Sequence, residues 1–196
     1  MKIKKIVDMC RREGVVRIYE DGNGIQWISN GYACYPLYDV PKLNENEFFT
    51  LFDFTAKQRD ETVFQCAAMP ENINTCDTVI GEHLCEKLSP NIPYGSRLLI
   101  PYSTPLGIKF LDDEYLAPLA GDSGDMEIYE RVSKKGERYF AVKIGMCVRA
   151  IVTPFNAINK SFVDNISTIH SLCREALITK DATDTVQLSA LESNDD

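Results

Sequence analysis

Only two histidines, His83 and His170, occur in the 196 residues, and no two cysteines stand as a Cys-x-x-Cys pair. His83 lies near Cys76 and Cys85, but the spacing matches no zinc site. No metal ligand set and no cofactor site is therefore expected. Glycine-rich phosphate loops are missing too: Asp21-Gly22-Asn23-Gly24 lacks the following lysine and helix, and a hairpin turn accounts for it. No apolar run approaches the ~20 residues of a membrane span. The start, Met-Lys-Ile-Lys-Lys, leads into no apolar leader segment, so no signal peptide is expected.

Positive charge is in deficit. Lys and Arg number 21 against 29 Asp and Glu, a net charge of -8. That argues against a protein that coats nucleic acid indiscriminately, but does not exclude one with a local basic face. Seven cysteines, Cys10, Cys34, Cys66, Cys76, Cys85, Cys147 and Cys173, are scattered without a framework. An odd count at largely apolar positions suits a reducing, cytoplasmic setting. The 44% hydrophobic and 26% charged content is that of a globular chain able to bury a core unaided.

Residues 3–12 read as a short amphipathic helix, with Ile3, Ile6, Val7 and Cys10 on one face. A meander follows over 15–37, with turns at Asp21-Gly22-Asn23-Gly24 and Asn30-Gly31. A short buried helix over 47–55 and a strand over 62–67 come next. The stretch 69–96 reads as an irregular connection with one helical turn at 82–88. Strands at 97–102 and 107–111 precede a short helix capped by Asp112 and limited by Pro118. A second meander spans 125–153. The longest helix follows Pro154, with Ile158, Phe162, Ile166, Ile169, Cys173 and Ala176 in one stripe and His170 off it. Residues 179–196 read as an acidic, disordered tail.

The order helix, three strands, proline, helix thus occurs twice. Ile18-Tyr19-Glu20 and Ile128-Tyr129-Glu130 hold matching places. The expected fold class is α+β with a mainly antiparallel sheet, in two pseudo-repeated helix–meander–helix halves. Those halves would be 1–68 and 97–178 of one compact unit, 1–178.

Gly121-Asp122-Ser123-Gly124 matches the tetrapeptide around the nucleophile of chymotrypsin-like proteases. His83 and Asp112 or Asp113 precede Ser123 in the right order, but the separation is too short for a two-barrel fold. A hydrolase would need Ser123, His83 and a carboxylate within hydrogen-bond reach. The run Asp112-Asp113-Glu114 suits a helix start better than a catalytic pair. No enzyme is expected.

The first helix holds Lys2, Lys4, Lys5, Arg11 and Arg12 against the single acid Asp8. Lys4, Lys5, Arg11 and Arg12 are the candidate phosphate contacts. A solvated helix face is the plainer alternative.

The repeated helix–meander–helix order resembles the DNA sliding clamps of replication. The first hairpin, with Trp27-Ile28-Ser29-Asn30-Gly31-Tyr32-Ala33, is similar to the one after the first helix of a clamp domain. Phe110, Tyr115-Leu116, Leu119 and Ala150-Ile151-Val152-Thr153-Pro154 resemble its closing part. The resemblance covers about half of the chain. Gln187-Leu188-Ser189-Ala190-Leu191 is loosely similar to a clamp-docking peptide without its terminal aromatic. The resemblance implies a non-enzymatic binding module in DNA replication or a mobile-element context, with duplex DNA as partner. The chain is short for a ring subunit and its last helix is longer than a clamp helix. The alternative is a protein-interaction or regulatory module, or one that self-associates, without nucleic acid.

Overall fold

The computed structural model describes residues 1–38 and 40–192. The chain divides into two units, Met1–Phe155 and Asn156–Asp196. The second half expected from the sequence, 97–178, is thus shared between them.

Helix α1, Ile3–Glu13, buries Ile6, Val7, Met9 and Cys10. It stops at Gly14, whose φ of 64° lets its N–H return to the Cys10 carbonyl. Any other L-residue is strained there. Strands β1 (Val15–Glu20), β2 (Gln26–Ser29) and β3 (Ala33–Pro36) form the expected meander. Asp21 fixes its first turn, because Oδ1 accepts the Asn23 and Ile25 N–H groups and Oδ2 accepts Trp27 Nε1–H at 3.0 Å. Asn30 Oδ1 fixes the second by accepting from Tyr32 and Ala33.

Helices α2 (Glu45–Leu51) and α3 (Ala56–Glu61) each carry a capping box, Asn44 with Glu47 and Thr55 with Gln58. Phe48, Phe49, Phe52, Phe54 and Phe64 pack ring against ring beside them. Strand β4, Val63–Ala68, then pairs in parallel with β1.

The expected helical turn at 82–88 is instead extended backbone: β5 (His83–Leu84) and β6 (Glu86–Lys87). Its backbone groups find strand partners, β10 for β5 and β8 for β6, as the rest of the chain assembles. Strand β7 (Ile92–Tyr94) shares one edge of β8 (Arg97–Thr104) with β6, and β9 (Gly107–Asp112) takes the other. The helix expected after Asp112 is two 3-10 turns, Asp113–Tyr115 and Ala117–Leu119. Asp112 caps the first, and Pro118 in the second cannot supply an α-helical N–H.

Strands β10 (Met126–Val132), β11 (Arg138–Ile144) and β12 (Cys147–Val152) form the second meander. The large sheet runs β4-β1-β2-β3-β12-β11-β10-β5, and every pairing except β1 with β4 is antiparallel. The meanders meet where Ala33 faces Val152 and Cys34 faces Ile151. On one face Ile18, Ile28, Tyr35, Phe140, Val142 and Val152 join α1, the phenylalanines and β8 in the main core. On the other, Trp27, Cys34, Tyr139, Ala141, Val148 and Ile151 form a smaller core under Met69 and Ile73. The two Ile-Tyr-Glu triplets agree in part. Both isoleucines are in the main core and both tyrosines pack on the opposite face, but Glu20 is exposed whereas Glu130 is buried.

The second unit carries α4, Lys160–Glu192. Asn159 Oδ1 accepts the Phe162 N–H at its start. The helix runs beyond Ile178, through a segment whose composition reads as disordered, as far as Glu192. The side chains of Gln187-Leu188-Ser189-Ala190-Leu191, and residues 193–196 altogether, lie outside the described residues. No helix among the described residues is long and apolar enough to cross a membrane.

Candidate functional site

Lys4 and Lys5 stand in the first turn of α1, exposed, with no ion pair among the described residues. No acid occupies that turn. Two cations therefore sit at the positive end of the helix dipole, where each costs roughly 0.3–1 kcal/mol. Helix stability does not ask for them.

Arg11 and Arg12 are differently placed. Arg11 reaches Asp8 at 3.0 Å and the Phe52 carbonyl at 2.8 Å, with its guanidinium 4.5 Å from the centre of the Phe54 ring. Arg12 grips both oxygens of Glu114, at 2.5 and 2.7 Å, and meets Glu13 at 3.2 Å. The hydrogen bond to Glu114 raises the Arg12 pKa further. Beside it Arg97 bonds Asp112 at 2.5 Å and the Tyr115 hydroxyl at 3.4 Å. These residues border a cleft of about 470 Å³ that holds Arg12 and Arg97 against Asp112, Asp113 and Glu114. Two guanidinium groups against three carboxylates give an anion no net attraction there.

Ser123 and His83 are held apart. His83 pairs with Glu130 on β10, whereas the Ser123 loop lies at the opposite end of that strand. A Cβ on Gly124 would lie 3.2 Å from the Ile144 side chain, beside Met126. Met126 and Glu130, four strand residues apart, are ~13 Å from each other. Hydrogen-bond reach is ~3 Å. His170 is exposed on α4. Among the described residues no three His, Cys, Asp or Glu side chains gather as metal ligands. Burial pushes the Cys10 thiol up to about 12 and raises that of Cys34, so neither ionises near neutral pH.

The most strongly organised polar site is one the sequence does not announce. Residues 69–82 cross the smaller core as a strap between the two edges of the sheet. The eight strands span ~34 Å, and such a stretch reaches ~46 Å when extended. The strap is tied at intervals. Met69 N–H donates to the Glu20 carbonyl, Asn74 N–H to the Tyr139 hydroxyl, and Val148 N–H to Asp77 Oδ1 at 2.7 Å. At its far end Glu82 meets two cations, Arg131 at 2.7 Å and Lys143. Arg131, 1% exposed, also donates to the Asn74 and Asp77 carbonyls. The Lys143 ammonium lies 4.0 Å from the centre of the Tyr129 ring. Burial pushes the Glu82 carboxyl up, but hydrogen bonds from Lys143 and Arg131 outweigh it, and the net shift is downward. Between strap and sheet is a cleft of about 490 Å³ bordered by Arg17, Tyr19, Tyr32, Asn72, Glu137 and Thr153. Its one guanidinium and one carboxylate leave it neutral.

No family model, curated protein or solved structure matches the chain.

Proposed function

We propose that the protein is a non-enzymatic binding module of sliding-clamp-like build that contacts duplex DNA, in replication or a mobile-element context. The observation that carries this reading is the pair Lys4 and Lys5, exposed, without an ion pair among the described residues, and set against the helix dipole. Charges held at a cost to stability have a use outside the helix. Support also comes from the sheet, in which two meanders with α1 on one face join edge to edge. Arg11 and Arg12 belong to the same basic helix, but their carboxylate partners compete with phosphate for them. Lys4 and Lys5 therefore make the main contacts, and Arg12 assists only if Glu114 releases it. Neutralising two phosphates gives a slope of log affinity against log salt of about -1.8. Fluorescence anisotropy with a short duplex at several salt concentrations tests this. Salt-independent binding, or none at low salt, ends the reading.

A second reading is favoured by one observation. Strand β4 pairs only with β1, so its outer edge is open among the described residues, and Val63 on it is 63% exposed. An open edge accepts an extended peptide by strand addition. In that case the partner is a protein and nucleic acid is irrelevant. Pull-downs with and without nuclease separate the two.

A further inference from the structure

We infer that α4 is a self-association helix, pairing in parallel with α4 of a second copy as a two-stranded coiled coil. The inference rests on the distribution of side chains over Lys160–Lys180 and stands apart from the nucleic-acid reading.

Ile166, Ile169, Cys173 and Ala176 follow one another at steps of three and four. Taken as heptad positions a, d, a and d, they set the place of every neighbour. Lys160, Asp164, Arg174 and Glu175 then all fall at the outward positions b, c and f. The flanking positions e and g hold Val163, Asn165, His170, Leu172, Leu177 and Thr179. No carboxylate, lysine or arginine touches the seam before Lys180. A solitary solvated helix would have no reason to confine its charges to one side.

The seam is unpaid for in one copy. Ile169 is 61% exposed, Leu172 59% and Leu177 59%, and Val163 and Ile166 are also exposed. Ser171 and Thr168 fold their hydroxyls back onto the helix carbonyls, so the polar face needs no partner. Burying the seam removes roughly 60–120 Å² for each large aliphatic side chain. Over two helices Val163, Ile166, Ile169, Leu172 and Leu177 together bury ~600–1,200 Å², which at its upper end meets the low end of specific interfaces. Small residues, Cys173 and Ala176, lie between Leu172 and Leu177 and allow close approach of the two axes. A second copy fits best because the strip is largely apolar and, over 160–179, free of carboxylates, lysines and arginines, which fall only at the outward positions, so two copies bury it without leaving a charge unpaired.

The parallel arrangement makes a specific demand. In it an a residue faces its own copy. Axes ~8–10 Å apart and a Cα radius of ~2.3 Å bring the two Cys173 Cα atoms to roughly 3.5–5.5 Å, which overlaps disulfide reach.

Light scattering on the full chain at micromolar concentration is expected to give the mass of two copies. Ile169→Asp is expected to convert it to monomer, while Ser167→Asp, at an outward position, leaves the dimer intact. Circular dichroism of both variants confirms that the fold is retained. Mild oxidation is expected to yield a covalent dimer that survives Ser at Cys66, Cys76 and Cys147 and disappears in Cys173→Ser. A monomeric wild-type chain, or a trimer, overturns the inference. So does a dimer that persists in Ile169→Asp, which would point to the sheet edge, or a covalent dimer that persists in Cys173→Ser.

Discussion

Glu82 shows how much one side chain decides. Among the described residues it is the only carboxylate that Arg131 and Lys143 meet, and both cations are almost fully buried. Glu82→Gln leaves two cations without a counter-charge, and breaking a buried pair in this way costs about 3–5 kcal/mol. Trp27, the chain's single tryptophan, lies in the core that the strap covers. Its fluorescence is therefore expected to shift to the red in Glu82→Gln, at lower denaturant than in the wild type. The pH dependence follows from the lowered Glu82 pKa. The folded carboxyl titrates below its ordinary 4.5, so its contribution is complete above that value. It is lost as pH falls through the lower folded value. Urea titrations between pH 7 and 3 are expected to show a fall in stability that is shallower in Glu82→Gln. Asp21 makes a smaller, local case. Asp21→Ala removes three hydrogen bonds around the first turn, including that from Trp27, and should cost roughly 1–3 kcal/mol in thermal or urea melts.

Among the elements, the strands announced themselves and the connections did not. Alternating apolar residues bounded by glycine-containing turns mark both meanders because a half-buried strand writes its period locally. The sequence signal lapses over 69–82. The strap owes its order to Arg131, Lys143, Tyr139 and Val148, all distant in sequence, so nothing within 69–82 reveals it. Helix α3 was missed for a different reason. It buries no side chain, and only Thr55 with Gln58 betrays it. The exposure of Lys4 and Lys5 follows from the apolar stripe of α1 and was legible, whereas the commitment of Arg12 to Glu114 crosses 102 residues and was not. The end of α1 is testable by itself. Gly14 holds φ at 64°, and a Cβ there would touch the Glu61 carbonyl at 3.4 Å. Gly14→Ala is expected to lower stability by ~1–2 kcal/mol without altering the oligomeric state.

At the scale of the whole molecule, function and stability should be separable in opposite directions. A basic pair that served only as a solvated helix face would not need to be lysine at the positive end of α1. Replacing both by acids gives Lys4→Glu/Lys5→Glu, and each carboxylate then gains roughly 0.3–1 kcal/mol from the dipole. The melting temperature is expected to rise by a few degrees. Under the DNA-binding reading the same variant loses duplex affinity, by more than tenfold at low salt, because two attractions become two repulsions. Arg12→Ala supplies the contrast. Its pair with Glu114 is half-exposed and contributes at most ~1 kcal/mol, and the arginine is already neutralised. That variant should melt slightly lower and bind duplex almost as well as the wild type. Differential scanning fluorimetry and anisotropy on the same three samples decide the matter. If Lys4→Glu/Lys5→Glu melts higher and the wild type binds no duplex at low salt, the open edge of β4 becomes the better guide to what this protein holds.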